Sequence, residues 1–498
     1  MIPATSMAPH TGPARIAWFA PGMIEGSGGL RTIVQNAEAL TARGHACDLY
    51  VDHRPAPGTD PAAADEAVRD EVRRLFGYDR PAVYAGFGLR AGYDLAFATA
   101  WWTAPIVAAL PPGVRKAYFV QDFEAYFNPM GDGFLLAENS YRLGLTAVTI
   151  GRWLTRKLTG EFGGRATWFE FGADRAVYRR VPGVPRERAV CFIHQPEKPR
   201  RCPRLGLMAL EIVKRRRPGV TVYLYGSRDG PSRPMFRDLG LLGVEECNAL
   251  YNRCGVGLCI SSSNPSRIPF EMMAAGLPVV DVHRENNLYD MPPDAILLAE
   301  QTPESIAAAV IEVLDRRERA EAMARAGTRF MADRGLERGY AEFSAAVEDI
   351  LAGTTDHWAS RAVSIAPLYD APARRDGHRP SPSPADGRTL ADECAACDDD
   401  HATALARAEV ASIERSRAWR LVQSIRRSVF YRAYAQARFG AGWDLPDPSE
   451  DPRQRLDRIT RSRLYRLIHS MKRTGVYRVY ARRGGRGPGA RAPERTAP

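Results

Sequence analysis

Ser261-Ser-Ser-Asn-Pro-Ser-Arg-Ile-Pro-Phe-Glu-Met-Met-Ala-Ala-Gly-Leu-Pro-Val-Val280 runs through a polar loop and a short helix into a strand. The apolar stretch Val256–Ile260 before it reads as a strand, and Val279–Val282 as the next one. Pro269 stands near the first helical position, where its missing N–H is no loss, and Gly276 and Pro278 close the helix. Glu271 falls in the first turn. There a carboxylate favours the helix dipole, and it can also accept the two hydroxyls of a ribose while neighbouring amides hold a phosphate.

Working outward, the same strand–loop–helix unit recurs. Strands are expected at Arg15–Ala20, Cys47–Val51, Lys116–Val120, Val190–Ile193 and Val220–Tyr225. Helices are expected at Leu30–Arg43, Leu205–Arg217, Phe270–Ala275, Pro303–Asp315 and Arg338–Leu351. The alternation predicts an α/β chain with two Rossmann-like domains facing across a cleft, 14–183 and 184–353, joined near Val181–Pro185. Ligands of such sheets lie beyond the carboxyl ends of the strands.

Two more loops sit at such strand ends. Pro21-Gly-Met-Ile-Glu-Gly-Ser-Gly-Gly-Leu-Arg31 is glycine-rich and opens a helix, so Gly28 and Gly29 are candidates to let an anion approach the backbone. Its spacing is not the dinucleotide fingerprint, and a tight turn is the plainer alternative. His194-Gln-Pro-Glu-Lys-Pro-Arg-Arg201 follows Val190–Ile193. Lys198, Arg200 and Arg201 can neutralise a diphosphate without a metal, or simply form a solvated basic loop.

The chain has 498 residues and a formal net charge of +11, with 45% hydrophobic and 26% charged residues. That mix excludes a wholly disordered chain, and eight irregularly spaced cysteines do not make a disulfide scaffold. Residues 1–350 are net +1, residues 351–400 net −4 and residues 401–498 net +14. The body is therefore nearly neutral and the tail strongly basic. Residues 354–400, with Pro380, Pro382 and Pro384, read as a disordered linker. Cys394-Ala-Ala-Cys397 lacks a second pair, so no metal is expected there. In the tail, Arg415-Ser-Arg-Ala-Trp-Arg-Leu421 repeats as Arg461-Ser-Arg-Leu-Tyr-Arg-Leu467. The repeat reads as paired basic amphipathic helices suited to an anionic membrane surface, a protein partner or a disordered tail. Leu95–Val114 carries no charge, but Pro105, Pro111 and Pro112 point to a strand and a short helix rather than a span. No secretory signal is visible at Met1–Pro13, so a cytoplasmic enzyme is expected, held peripherally on the inner face of the membrane if the tail binds lipid.

The sequence resembles the family-4-type glycosyltransferases of GT-B fold, in particular their bacterial rhamnosyltransferase-like branch. The stretches that carry this are Gly26-Ser-Gly-Gly-Leu-Arg31, Arg43-Gly-His45, Tyr118-Phe-Val-Gln-Asp-Phe-Glu124, Ala137-Glu-Asn-Ser-Tyr141, Phe171-Gly-Ala-Asp174 and Pro265–Val280. The resemblance implies transfer of a sugar, rhamnose being one candidate, from a nucleotide diphosphate to a glycan or lipid-linked acceptor. It implies retention of configuration and no cofactor. Glu271 would bind the donor ribose. Lys198, Arg200, Arg201, Gly28 and Gly29 would hold the diphosphate, and Asp122 and Glu124 the acceptor. The family usually has a second glutamate eight positions before Glu271, where this chain has Ser263. Ser263 and Ser266 are therefore assigned to the donor sugar or its loop, and no catalytic residue is named. The rivals are a catalytically silent relative and a nucleic-acid-binding protein with an α/β sensor body. The neutral body speaks against nucleic acid as a partner.

Overall fold

The computed structural model describes residues 12–376 apart from 54, 56–58, 78–81, 91 and 229–233, together with His10, Val410 and residues 452–461. Two compact units result, one holding both sheets and the other the C-terminal region. In the latter, the helix Pro452–Arg461 packs Ile459 and Leu456 against Val410. The repeat from Arg415 and almost all of its second copy lie outside the described residues, as do Cys394 and Cys397.

The first sheet contains β1 (Arg15–Ala20), β2 (Ala46–Val51), β3 (Val83–Ala85), β4 (Leu95–Ala98), β5 (Arg115–Val120), β6 (Thr146–Ile150) and β7 (Ala166–Phe169). Its order is β3-β2-β1-β4-β5-β6-β7, and all pairings are parallel. The second contains β8 (Ala189–Ile193), β9 (Thr221–Tyr225), β10 (Arg237–Asp238), β11 (Val256–Leu258), β12 (Val279–Val282) and β13 (Ile296–Ala299), in the order β10-β9-β8-β11-β12-β13. It too is parallel throughout. The fold class is α/β, with two Rossmann-like sheets. Strand order reverses between β1 and β4 and between β8 and β11, and such switch points open the crevices where ligands bind. Leu95–Val114 forms β4 and the short helix Ala104–Ala108, as its prolines require. None of the described helices is long and apolar enough to cross a membrane.

The division at residue 353 needs correction in two respects. The helix Leu336–Ala352, though it follows the second sheet in sequence, packs on the first one. Its Phe343 ring lies 5.2–5.8 Å from Trp18, Phe97, Phe119 and Phe169. Nor is 354–376 a linker. His357–Val363 is a helix, Trp358 is buried with Nε1 donating to Asp349 at 3.0 Å, and Arg361 lies 3.9 Å above the Trp168 ring. The chain then returns to the second sheet. The Arg374 amide donates to Leu298 O at 2.7 Å, and the Tyr369 hydroxyl accepts from the Leu298 amide at 3.1 Å. Trp358, Ala362, Ile365 and Tyr369 keep helical spacing, a signal the proline-rich stretch beyond them masks.

The two sheets are joined by buried polar contacts between the segments that follow β6 and β12. Asp290, after β12, accepts the amides of Arg152 at 2.8 Å and Trp153 at 3.3 Å, and so caps the helix Arg152–Phe162 of the other half. Gly151 has φ +83°, and a Cβ there would stand 2.4 Å from Phe171 and 2.9 Å from Asp290. Gly160, on the same helix, faces open space. Gly151→Ala should therefore destabilise the fold by about 2 kcal/mol or more, while Gly160→Ala should be neutral or stabilise it by up to about 1 kcal/mol. Denaturant melts of the two variants check the contrast.

Candidate active site

After β8, His194 bonds back to Tyr225 O, and Pro199–Arg201 form a single tight turn. Cys202, which caps it, has φ +47°, a left-handed conformation a side chain rarely adopts. This strained corner swings Lys198, Arg200 and Arg201 together. Burial lowers the Lys198 pKa against the attraction of Glu197, 3.8 Å away, and repulsion from Arg200 and Arg201 adds to the lowering. Burial also lowers Arg200, opposed by Asp122. Arg200 Nε lies 3.8 Å from Asp122 Oδ2, an ion pair too long for a hydrogen bond, and its guanidinium sits 4.2 Å over the Phe127 ring.

The loop after β11 is organised by Ser261. Its hydroxyl donates to Asp281 at 2.7 Å and its amide donates to the same carboxylate at 2.8 Å. Asn286 and Asn287 both donate to its carbonyl. Asp281 is buried, which pushes its pKa up to about 7 against these donors. From this frame Ser262 Oγ donates to Arg200 O at 2.7 Å, and Asn264 Nδ2 reaches Gln121 O, after β5, at 2.9 Å. The basic turn, the serine loop and the first sheet therefore meet at one point. Ser266 Oγ accepts the Ile268 amide at 3.4 Å, which leaves it shaping the loop.

Glu271 stands in the first turn of the helix Ile268–Ala274. Burial raises its pKa, while Arg267, a hydrogen bond from Tyr178 and the charge of Arg31 hold it down. Arg31 belongs to the helix Gly28–Ala42 behind the glycine-rich loop, so both halves reach Glu271. At the start of that helix Ser27 accepts the Leu30 amide at 3.4 Å, and Gly29 O accepts from Gln121 Nε2 at 3.1 Å. A Cβ on Gly28 would meet nothing within 4 Å, so space remains there for a ligand.

Several buried polar atoms at these strand ends make no hydrogen bond within the protein: Arg200 Nε, which has only the long ion pair to Asp122, Arg201 Nη1, Asn264 Oδ1, Arg267 Nε and Arg284 Nε. Desolvated donors without acceptors are costly, and a ligand bearing phosphate and hydroxyl oxygens would satisfy them. Among the described residues no cluster of His, Cys, Asp or Glu could hold a metal ion.

Lys198, Arg200, Arg201, Asp122 and Ser263 are thus brought together, and Glu271 gathers Arg267, Arg31 and Tyr178. Sequence reasoning did not single out Arg31, Arg267, Asn264 or Asp281. A signal existed for Asp281, a lone charge inside an apolar strand. Glu124 differs from expectation. Its carboxylate accepts the Trp101 amide at 2.5 Å and the Tyr118 hydroxyl at 3.4 Å, so it ties β4 to β5 behind the cleft.

Residues 188–311 match the family model for the WsaF C-terminal domain. The O-antigen biosynthesis protein RfbC of Myxococcus xanthus is 33% identical over 303 residues, which cover 58% of this chain and 24% of that protein. This chain therefore spans about a quarter of that curated relative. Among solved structures, Anabaena Alr3699/HepE in complex with UDP has a TM-score of 0.52 at 13% identity, covering 67% of this chain and 99% of the other. TarM has a TM-score of 0.53 at 7% identity, covering 70% and 100%. An S. aureus TarM variant crystallised with UDP scores 0.53 at 6%, covering 68% and 99%. At such identities the likeness is one of fold. The fold is GT-B, two Rossmann-like sheets facing each other.

Burial pushes the Glu124 carboxyl up to about 8, opposed first by its bond from Trp101. The folded state thus holds a proton that the unfolded chain releases near its ordinary value of 4.5. This group therefore weakens the fold as pH rises from about 4.5 to about 8. Glu124→Gln keeps an acceptor for Trp101 but cannot ionise. Its melting temperature relative to the wild type should become more favourable between pH 5 and pH 8.5, as scanning fluorimetry will show.

Proposed function

We propose that the chain is a glycosyltransferase of bacterial surface-polysaccharide synthesis, with O-antigen-type glycans as its products. The observation that carries this reading is the set of desolvated guanidinium and amide atoms without hydrogen-bond partners in the loops that follow β8 and β11. The WsaF match over the second sheet, the O-antigen relative and the UDP-bound fold neighbour support it.

In this reading the donor is a nucleotide diphosphate sugar. Glu271 accepts the ribose hydroxyls, Lys198, Arg200 and Arg201 hold the diphosphate, Gly28 leaves room for it, and Gly29, packed on Gln121, lines its edge. Ser263 faces the transferred sugar, and Asp122 orients the acceptor. The acceptor oxygen bonds to the anomeric carbon as the bond to the phosphate breaks, and the departing phosphate oxygen takes the acceptor proton. Charge building on that oxygen is stabilised by Arg200 and Arg201, so the step needs neither a metal nor a side-chain base. Attack from the leaving-group face retains configuration. A rhamnosyl donor and a lipid-linked acceptor complete the proposal.

Titration calorimetry with UDP, GDP and dTDP should show binding of at least one nucleotide. Glu271→Ala and Arg201→Ala should each weaken it by about tenfold or more, roughly 1.4 kcal/mol. Unchanged affinity in both variants would remove the site assignment. The net charge of +14 over residues 401–498 supports attachment to an anionic membrane surface. The full chain should float with phosphatidylglycerol vesicles, and a chain ending at Asp376 should not.

A further inference from the structure

We infer that Trp102, Tyr126 and Phe127 form a stacking platform for the acceptor sugar, on the first-sheet lip of the cleft; this rests on the glycosyltransferase reading. All three rings are large and more than a third exposed, at 39%, 38% and 38%. They stand on two neighbouring turns. Trp102 follows β4, and Tyr126 and Phe127 follow β5, its parallel partner, so both turns leave the same carboxyl end of the sheet.

Both turns are held rigid from behind. Thr103 Oγ1 accepts the Thr99 and Ala100 amides at 3.0 and 3.1 Å, and Glu124 accepts the Trp101 amide. Tyr126 packs edge-on to buried Phe123 at 4.8 Å, and Trp101 edge-on to Trp102 at 5.6 Å. Exposed rings fixed so firmly are preorganised for contact rather than left over from the core.

Their surroundings specify the occupant. Arg200, in the proposed diphosphate site, lies 4.2 Å over Phe127, so the platform adjoins the reacting centre. Buried Asn264 Oδ1, without a hydrogen-bond partner, lies on the facing loop beside Ser263, whose side chain is held toward Asp122, and Asn264 Nδ2 bonds across to Gln121 O. A pyranose offers an apolar C–H face, whose positive edge suits the negative face of an aromatic ring, and a rim of hydroxyls for those polar atoms. An acyl chain would leave the polar atoms unsatisfied.

Saturation-transfer NMR on the full chain, with and without UDP, tests this with methyl α-rhamnoside, methyl α-mannoside and methyl α-glucoside. Ring C–H protons of at least one glycoside should be saturated. Trp102→Ala and Phe127→Leu should each weaken that binding by about fivefold, the size expected of one aromatic contact. Trp102→Ala should leave UDP affinity unchanged. Silence of all three glycosides on the wild type, or equal saturation in both variants, overturns the inference. So does Trp102-dependent flotation with phosphatidylcholine vesicles in place of glycoside binding. Failure of the wild type to bind any nucleotide would instead count against the glycosyltransferase reading, because glycoside saturation is read independently.

Discussion

The cleft exists in a defined geometry because one buried carboxylate, Asp290, crosses from the second half of the body to the first. It accepts two amides at the start of the helix Arg152–Phe162, which would otherwise be left without partners. Burial, with Glu170 nearby, pushes its pKa up to about 7. Phe171 stacks on Phe270 at 4.6 Å, so the short helix that carries Glu271 is braced at the same junction. Beside it, Glu170 binds Arg152 and Arg334 at 2.6 and 2.8 Å, and their two charges outweigh the burial that opposes ionisation. A junction made of directional, desolvated bonds fixes orientation in a way that apolar contact alone does not.

In the loops that carry the site, the balance between desolvation and charge sets its character. Lys198 and Arg200 are held close together and partly out of water, Lys198 beside Glu197 and Arg200 beside Asp122, each pair at 3.8 Å. A diphosphate would meet cations that have already lost much of their hydration, which strengthens the attraction. Asp281 serves the opposite purpose. Its carboxylate is consumed by Ser261 and holds the loop in shape. Acidic residues of similar burial thus divide into those that frame the loops, such as Asp281, and those set beside cations, Glu271 with Arg267 and Arg31 and Asp122 with Arg200 and Arg201.

Much of the fold was legible because the strands are short apolar runs buried on both faces, bounded by Gly and Pro. β1, β12 and the helix Pro303–Asp315 have the bounds their pattern predicts. What misled the reading was the assumption that neighbours in sequence share a layer. The helix Leu336–Ala352 shows an apolar face, but periodicity does not say which sheet that face covers. The segment 354–376 was hidden by the proline-rich stretch after it. Glu124, after a strand end, was expected to bind the acceptor, and only the closeness of Trp101, 23 residues earlier, shows it to be a bracket.

The sequence by itself determined the two parallel sheets, the loops at their carboxyl ends and the uneven charge of the chain. Those features depend on local patterning, glycine and proline stereochemistry and composition, all of which are written in runs of neighbouring residues. Tertiary structure decided which side chains share a site. It set Arg200 against Asp122 and Phe127, brought Arg31 to Glu271, and left Arg267 and Asn264 with unpartnered atoms in the cleft. Such pairings join residues tens to hundreds of positions apart, and hydrogen bonding and desolvation act across space, so no local pattern encodes them.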